Sequence, residues 1–401
     1  MLVFSKVRTY FTVLLVLALA GPLVAQQTAT EFTPNVEAQS VAVVTKTHLA
    51  MPADAAWFAH ANVKRLLEHP LGQRALGLAE AAIREETNDF DGAFDLKTAR
   101  DKIAEVIGFD PLEGIASVTV YGTTNPFETE ARSDDEVIEN MAATSVAIIS
   151  LTGGTGNLEG FALAAPGYQS TDYEGATIHS GTIPDSPIRV YMAVLQPSTA
   201  IPGVVVLGME EARVKAVLDL RRSMTIGKLG GLDPLNDIKG PDQYTIIPAV
   251  DGAFLAAGLE LGEGTFRVME IPEQQSAVAQ MLERVTFSLG TIPASSMFAE
   301  TPDGNSDFAT HGKTTAQIAL DVVDEQRAEQ VRQLITGAIA FTQLPIKELE
   351  QEEEFVIVRE ILRDVEVSRE NMRVLIRVSK PTDALLQTLM QFGGIEYLLT
   401  R

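Results

Sequence analysis

The residues of this chain that could do chemistry are few, and each stands in a pattern that stops short of a known site. In Ser150–Gly160, SLTGGTGNLEG, strand-forming residues run into a glycine turn and then into a helix-forming stretch. Gly154, Gly156 and Gly160 approach the G-x-G-x-x-G spacing, in which glycines let a pyrophosphate come close to a helix N-terminus. The third glycine stands one residue too far along, and Asp172, the acid that would bind a ribose, precedes the next strand instead of ending it. Gly154 and Gly156 are therefore the candidates for a nucleotide contact, but a plain glycine turn is the expected reading, with no cofactor.

Histidine is the other source of candidates, at His48, His60, His69, His179 and His311. His60 and His69 flank the first expected helix, where zinc would also need a carboxylate such as Glu68. No H-E-x-x-H and no G-x-S-x-G occurs, so neither a helical zinc site nor a serine-hydrolase elbow has a local signature. His60, His179 and His311 remain as imidazoles that a fold could bring together. Asp303-Gly304-Asn305-Ser306-Asp307 opens like a calcium loop, with Asp303, Asn305 and Asp307 as the ligands. Phe308 then stands where glycine is required and Thr314 where a bidentate glutamate belongs, so a hairpin turn is expected and no metal. The run Glu348–Glu354 reads as a solvated stretch of charge.

The elements that must position these residues are best read from Ile188–Met224. A strand (Ile188–Leu195), a polar turn and a second short strand (Val204–Leu207) pass through Gly208 into a helix with Val214, Val217 and Leu218 at helical spacing. Variants of this strand–strand–helix unit recur. Strands are expected at Ala53–Ala61, Ser117–Tyr121, Thr144–Leu151 and Ala253–Leu261, and a hairpin around Tyr173-Glu174-Gly175-Ala176. Helices are expected after Asn62, after Asp95, over Asn157–Ala165, from Pro272 with Val278, Met281, Leu282 and Val285 on one face, and after Asp324 with Val331, Leu334 and Ile335. Met297–Glu300 and Phe308–Val322 are expected to form a hairpin, and two further strands meet at Arg369-Glu370-Asn371, before a last helix from Pro381. Hairpins followed by helices predict an α+β fold, with antiparallel sheets carrying helices on one face. Residues 225–243, rich in glycine and proline, divide a module over 51–224 from one over 244–401, with one sheet expected in each.

Composition narrows the function. The chain has 401 residues, 31 Lys and Arg against 54 Asp and Glu, and a net charge of -23, so a phosphate backbone would be repelled and nucleic acid is excluded as a partner. Cysteine is absent, which removes disulfides, thiolate metal sites and thiol catalysis. Lys6 and Arg8, the apolar run FTVLLVLALA, and Gly21-Pro22 before Leu23-Val24-Ala25 form the succession of a secretory signal peptide. Cleavage after Ala25 would leave no stable membrane anchor. Residues 26–50 read as a flexible lead-in, and the acidic stretch after Asn125 as an exposed loop.

MPADAAWFAHANVKRLLEHPLG, APGYQSTDYEGATIHS and the closing strand–turn–strand–helix resemble secreted bacterial proteins grouped as domains of unknown function. The resemblance implies an extracytoplasmic α+β protein and assigns no catalytic residues. The reading that results is an acidic, secreted or periplasmic, non-catalytic protein that binds an unknown protein or envelope component, its charge favouring a cationic one. Its alternatives are an extracytoplasmic hydrolase or metal-dependent enzyme built from scattered residues, and a carrier of an apolar ligand. The address is open to direct test. N-terminal sequencing of exported protein should begin at Gln26, and membrane-bound protein still starting at Met1 would refute cleavage.

Overall fold

Antiparallel pairing begins with turns that only some residues can make. Strands β5 (Gln169–Tyr173) and β6 (Ala176–Thr182) join through Glu174 and Gly175, whose φ angles are 51° and 86°. Positive φ at both central residues is the condition for the tight turn whose twist matches that of the strands. Strands β13 (Val365–Glu370) and β14 (Arg373–Pro381) turn at Asn371, where φ is 55°.

The computed structural model describes residues 49–52, 55–70, 72–73, 96–125, 143–183, 188–197, 203–219, 244–247, 253–261, 280–292, 312–342 and 363–384. Outside them lie the expected leader over 1–25, His48, the expected division at 225–243, Met297–Glu300, the calcium-like loop with Asp303, Asn305 and Asp307, His311 and Glu348–Glu354.

The remaining strands are β1 (Leu49–Pro52), β2 (Trp57–Ala61), β3 (Ile115–Gly122), β4 (Ser145–Leu151), β7 (Arg189–Leu195), β8 (Val204–Gly208), β9 (Tyr244–Ile247), β10 (Ala253–Glu260), β11 (Leu282–Ile292) and β12 (Lys313–Val322). The helices are α1 (Val63–Glu68), α2 (Leu96–Ile107), α3 (Pro111–Gly114), α4 (Leu158–Leu163), α5 over 211–219 and α6 (Glu325–Thr342). Asn62 accepts the Arg65 N–H at the start of α1, and Asp324 the Arg327 N–H at the start of α6. The architecture is thus largely antiparallel sheet with a few helices, in keeping with an α+β class.

Twelve strands form one sheet in the order β13-β14-β12-β11-β10-β2-β3-β4-β8-β7-β6-β5, and β1 pairs with β9 in a separate ribbon. The sheet is continuous where one per half of the chain was expected. Its seam is the ladder between β2 and β10, Leu255 opposite Ala61 through Leu259 opposite Trp57.

The stretch expected to be helical at Leu282 and Val285 is strand β11. Its register against β12 shifts between Leu282 and Arg284, so Leu282 opposite Val322 and Val285 opposite Leu320 face the same way despite lying three residues apart. The bulge imitates a helical period. Strand β12 takes β11 and β14 on its two edges.

Successive residues of a strand point to opposite faces, so register sorts the core. On one face Ile178, Ala193, Val204 and Val206 pack with Val214, Val217 and Leu218 of α5. On the other, Ile149, Leu151 and Val205 pack with Leu158 of α4 and Val63 of α1. That second face also joins Leu320, Val322 and Val374 to Ala328 and Val331 of α6. Helices therefore meet both faces, not one, because α5 leaves β8 on the side opposite α4. Leu334, expected in the buried stripe of α6, is 53% exposed. Among the described residues no helix is long and apolar enough to cross a membrane.

The two aromatic residues of β2 each sit over a glycine directly across a ladder. Trp57 faces Gly122 of β3, and Phe58 faces Gly258 of β10. A Cβ on Gly258 would overlap the Phe58 ring, and one on Gly122 the Trp57 indole. Gly258→Ala should therefore destabilise the fold by about 1–3 kcal/mol through overpacking. Gly337→Ala, in α6 with open space around it, should stabilise by about 0.5–1 kcal/mol. Urea denaturation of the two variants should show these opposite signs, and equal shifts would refute the packing account.

Candidate functional site

Two sequence features, the glycine turn and His179, come together where α4 meets the β6–β7 hairpin. An open cleft of about 350 Å³ lies there, lined by Glu159, Gly175, Ala176, Thr177, His179, Val194, Leu195 and Gln196. Glu159 stands in the first turn of α4, which follows the glycine turn. Thr177 and His179 alternate along β6 and so face the same side. Val194 and Leu195 come from the end of β7 and Gln196 from the residue after it.

The polar groups are held in order. The buried Thr155 hydroxyl donates to Gln196 Oε1 at 2.8 Å, and Gln196 Nε2 donates to Glu159 Oε1 at 3.1 Å. His179 is buried, with Nδ1 hydrogen-bonded to the Tyr168 hydroxyl at 3.0 Å. Thr177 Oγ1 donates to Asp172 Oδ1 at 3.2 Å, directly across the hairpin. The arrangement offers a fixed carboxylate, an imidazole and a short apolar floor.

His60 lies elsewhere. The register runs Ala59–Val120–Ala147–Leu207–Met192–His179 across β2, β3, β4, β8, β7 and β6, so His179 shares a face with Ala59 and not with its neighbour His60. The two imidazoles point to opposite faces across five strand spacings, about 24 Å at the usual separation of strands. His60 is buried, and its Nδ1 is hydrogen-bonded to Thr119 Oγ1 at 2.8 Å. His69 is buried too, stacked on Phe254 with ring centroids 4.8 Å apart and with Nε2 3.4 Å from Thr314 Oγ1. The zinc arrangement of His60, His69 and Glu68 does not form, and among the described residues no group of three or more histidines and carboxylates could hold a metal ion.

The glycine turn has a packing role. Gly156 has φ 56°, and a Cβ there would overlap the Ile107 carbonyl at the end of α2. Asn157 N–H donates to that same carbonyl at 2.7 Å. Gly154 is exposed with nothing near its missing Cβ. α4 is six residues long, and Asp172 is engaged by Thr177, so the parts of a dinucleotide site are not assembled.

Glu159, Gln196, Thr155 and Tyr168 were not apparent as site residues from the sequence. Tyr168 was the most accessible of them, because the Glu174-Gly175 turn sets Gln169 opposite Ser180 and brings Tyr168 beside the His179 strand. Glu159 and Gln196 meet only through packing of α4 on β7.

No family model matches the chain, and no curated protein matches it. A solved structure, crystal form I of TP0453, is similar over 84% of this chain and 93% of its own, at 9% identity and a TM-score of 0.28. A likeness at that level carries no inference about architecture or activity.

Burial lowers the pKa of His60 from 6.5 to about 4, so it is neutral in the folded protein at ordinary pH. In the unfolded chain it takes a proton near pH 6.5. Its stabilising contribution is therefore complete above that pH and is lost as pH falls from about 6.5 to 4, by on the order of 3 kcal/mol. Urea midpoints between pH 7 and 4 should fall less steeply in His60→Gln than in the parent protein. Parallel profiles would show that His60 does not carry the effect.

Proposed function

We propose that the protein is an acidic, extracytoplasmic, non-catalytic α+β protein that acts by binding a partner or by organising the envelope. The observation that carries this reading is the separation of the candidate imidazoles. His60 is enclosed beside Thr119, and His179 faces the other side of the sheet beside Tyr168. General acid–base work needs groups within hydrogen-bond reach of one reacting centre. A net charge of -23 supports cationic partners and disfavours polyanions. The leader over 1–25 supports the address. The two modules, 51–224 and 244–401, are proposed to share the sheet through the β2–β10 ladder.

One observation favours a second reading. Glu159 and His179 line the same cleft, as a carboxylate and an imidazole would in a hydrolytic site. A pull-down from envelope extract at low and high salt, beside a broad hydrolase screen on the same protein, separates the two. Salt-released partners without turnover are expected. Hydrolysis that disappears in His179→Ala and persists in His60→Gln would establish the enzyme reading instead.

A further inference from the structure

We infer that the cleft between α4 and the β6–β7 hairpin is a receptor for an alkylammonium group, the stem and head of a lysine side chain presented by a partner. This rests on the partner-binding reading and names the chemistry of its contact. Among the described residues Glu159 makes no ion pair, whereas Glu211 is bridged by Lys215 at 2.8 Å and Glu329 by Arg332 at 2.6 Å. Its carboxylate is nevertheless not loose. Gln196 holds one oxygen, and Gln196 is in turn anchored by Thr155, which is 4% exposed. A carboxylate held in place without a cation offers a preorganised counter-charge, which lowers the ordering cost of binding.

The remainder of the lining matches the rest of such a side chain. Val194, on the same face as Thr177 and His179, gives apolar contact for the methylene stem, whereas Ala176 and Leu195 turn their side chains into the core on the other face and line the cleft from its edge. The Tyr168 hydroxyl occupies His179 Nδ1, so the ring has one nitrogen left to engage a ligand. At about 350 Å³ the cleft is at the small end of ligand pockets, suited to a single side chain. An arginine fork binds best to both oxygens of a free carboxylate, but Gln196 already holds Oε1 of Glu159, and the remaining oxygen suits the point-like ammonium of lysine.

The test is titration of the full chain with N-acetyl-lysine amide, followed by NMR shifts at Thr177 and His179. N-acetyl-norleucine amide, similar in stem and without the charge, serves as the control. Saturable shifts with the lysine probe are expected, about tenfold weaker with the norleucine probe and about tenfold weaker in Glu159→Gln. Glu210→Gln, an exposed carboxylate outside the cleft, should leave binding unchanged. Absence of saturable shifts, equal response to the two probes, or indifference to Glu159→Gln would each overturn the proposal. Repeating the pull-down with Glu159→Gln separates the two levels. Partners retained by that variant would sink the cleft assignment and leave partner binding standing, whereas no salt-released partner for the parent protein would sink the broader reading.

Discussion

Strand β2 has both edges filled, and that constraint governs everything else in the molecule. Its backbone pairs with β3 on one side and β10 on the other. A central strand cannot leave donors and acceptors unpaired away from water, so residues nearly two hundred positions apart must meet. The side chains obey the same arrangement. Trp57 and Phe58 point to opposite faces, and each needs a neighbouring strand that offers no Cβ at the facing position. Gly122 and Gly258 supply those gaps, one per ladder. Glycine weakens a strand by itself, but an aromatic ring laid across it restores cover for the exposed backbone.

Local features were largely legible in the sequence. The Glu174-Gly175 turn, the Asn62 and Asp324 caps and the passage from β8 through Gly208 into α5 depend on residues close together in the chain. What could not be read depends on distant pairing. Leu282 and Val285 display a helical interval because a bulge places both on one face, and no local pattern separates that from a real helix turn. The histidines show the same limit. His60 and His179 were comparable candidates in the sequence, and only the strand order places them on opposite faces.

The cleft illustrates how a site can be assembled without a motif. The glycine turn that imitates a nucleotide loop serves to bring the end of α2 against Asn157, and that contact sets where α4 begins. Glu159 is positioned as a result. A chain of two hydrogen bonds from a buried threonine then holds its carboxylate against β7. Spacing within the sequence could not disclose this, since Gln196 lies 37 residues from Glu159 and 41 from Thr155 and meets them only through the packing of α4 on β7.

The seam between β2 and β10 also bears on the order in which the chain can assemble. Strands β2 to β8 all lie between residues 57 and 208, and their ladders can close among themselves. β10 begins only at Ala253, so until it has been made the outer edge of β2 is an open template of unpaired amides and carbonyls. Pairing across so long a separation is slow compared with hairpin closure, because the entropy of a large loop is lost before any ladder bond forms. The short length of β2, five residues, limits how attractive that edge is to another chain during the wait.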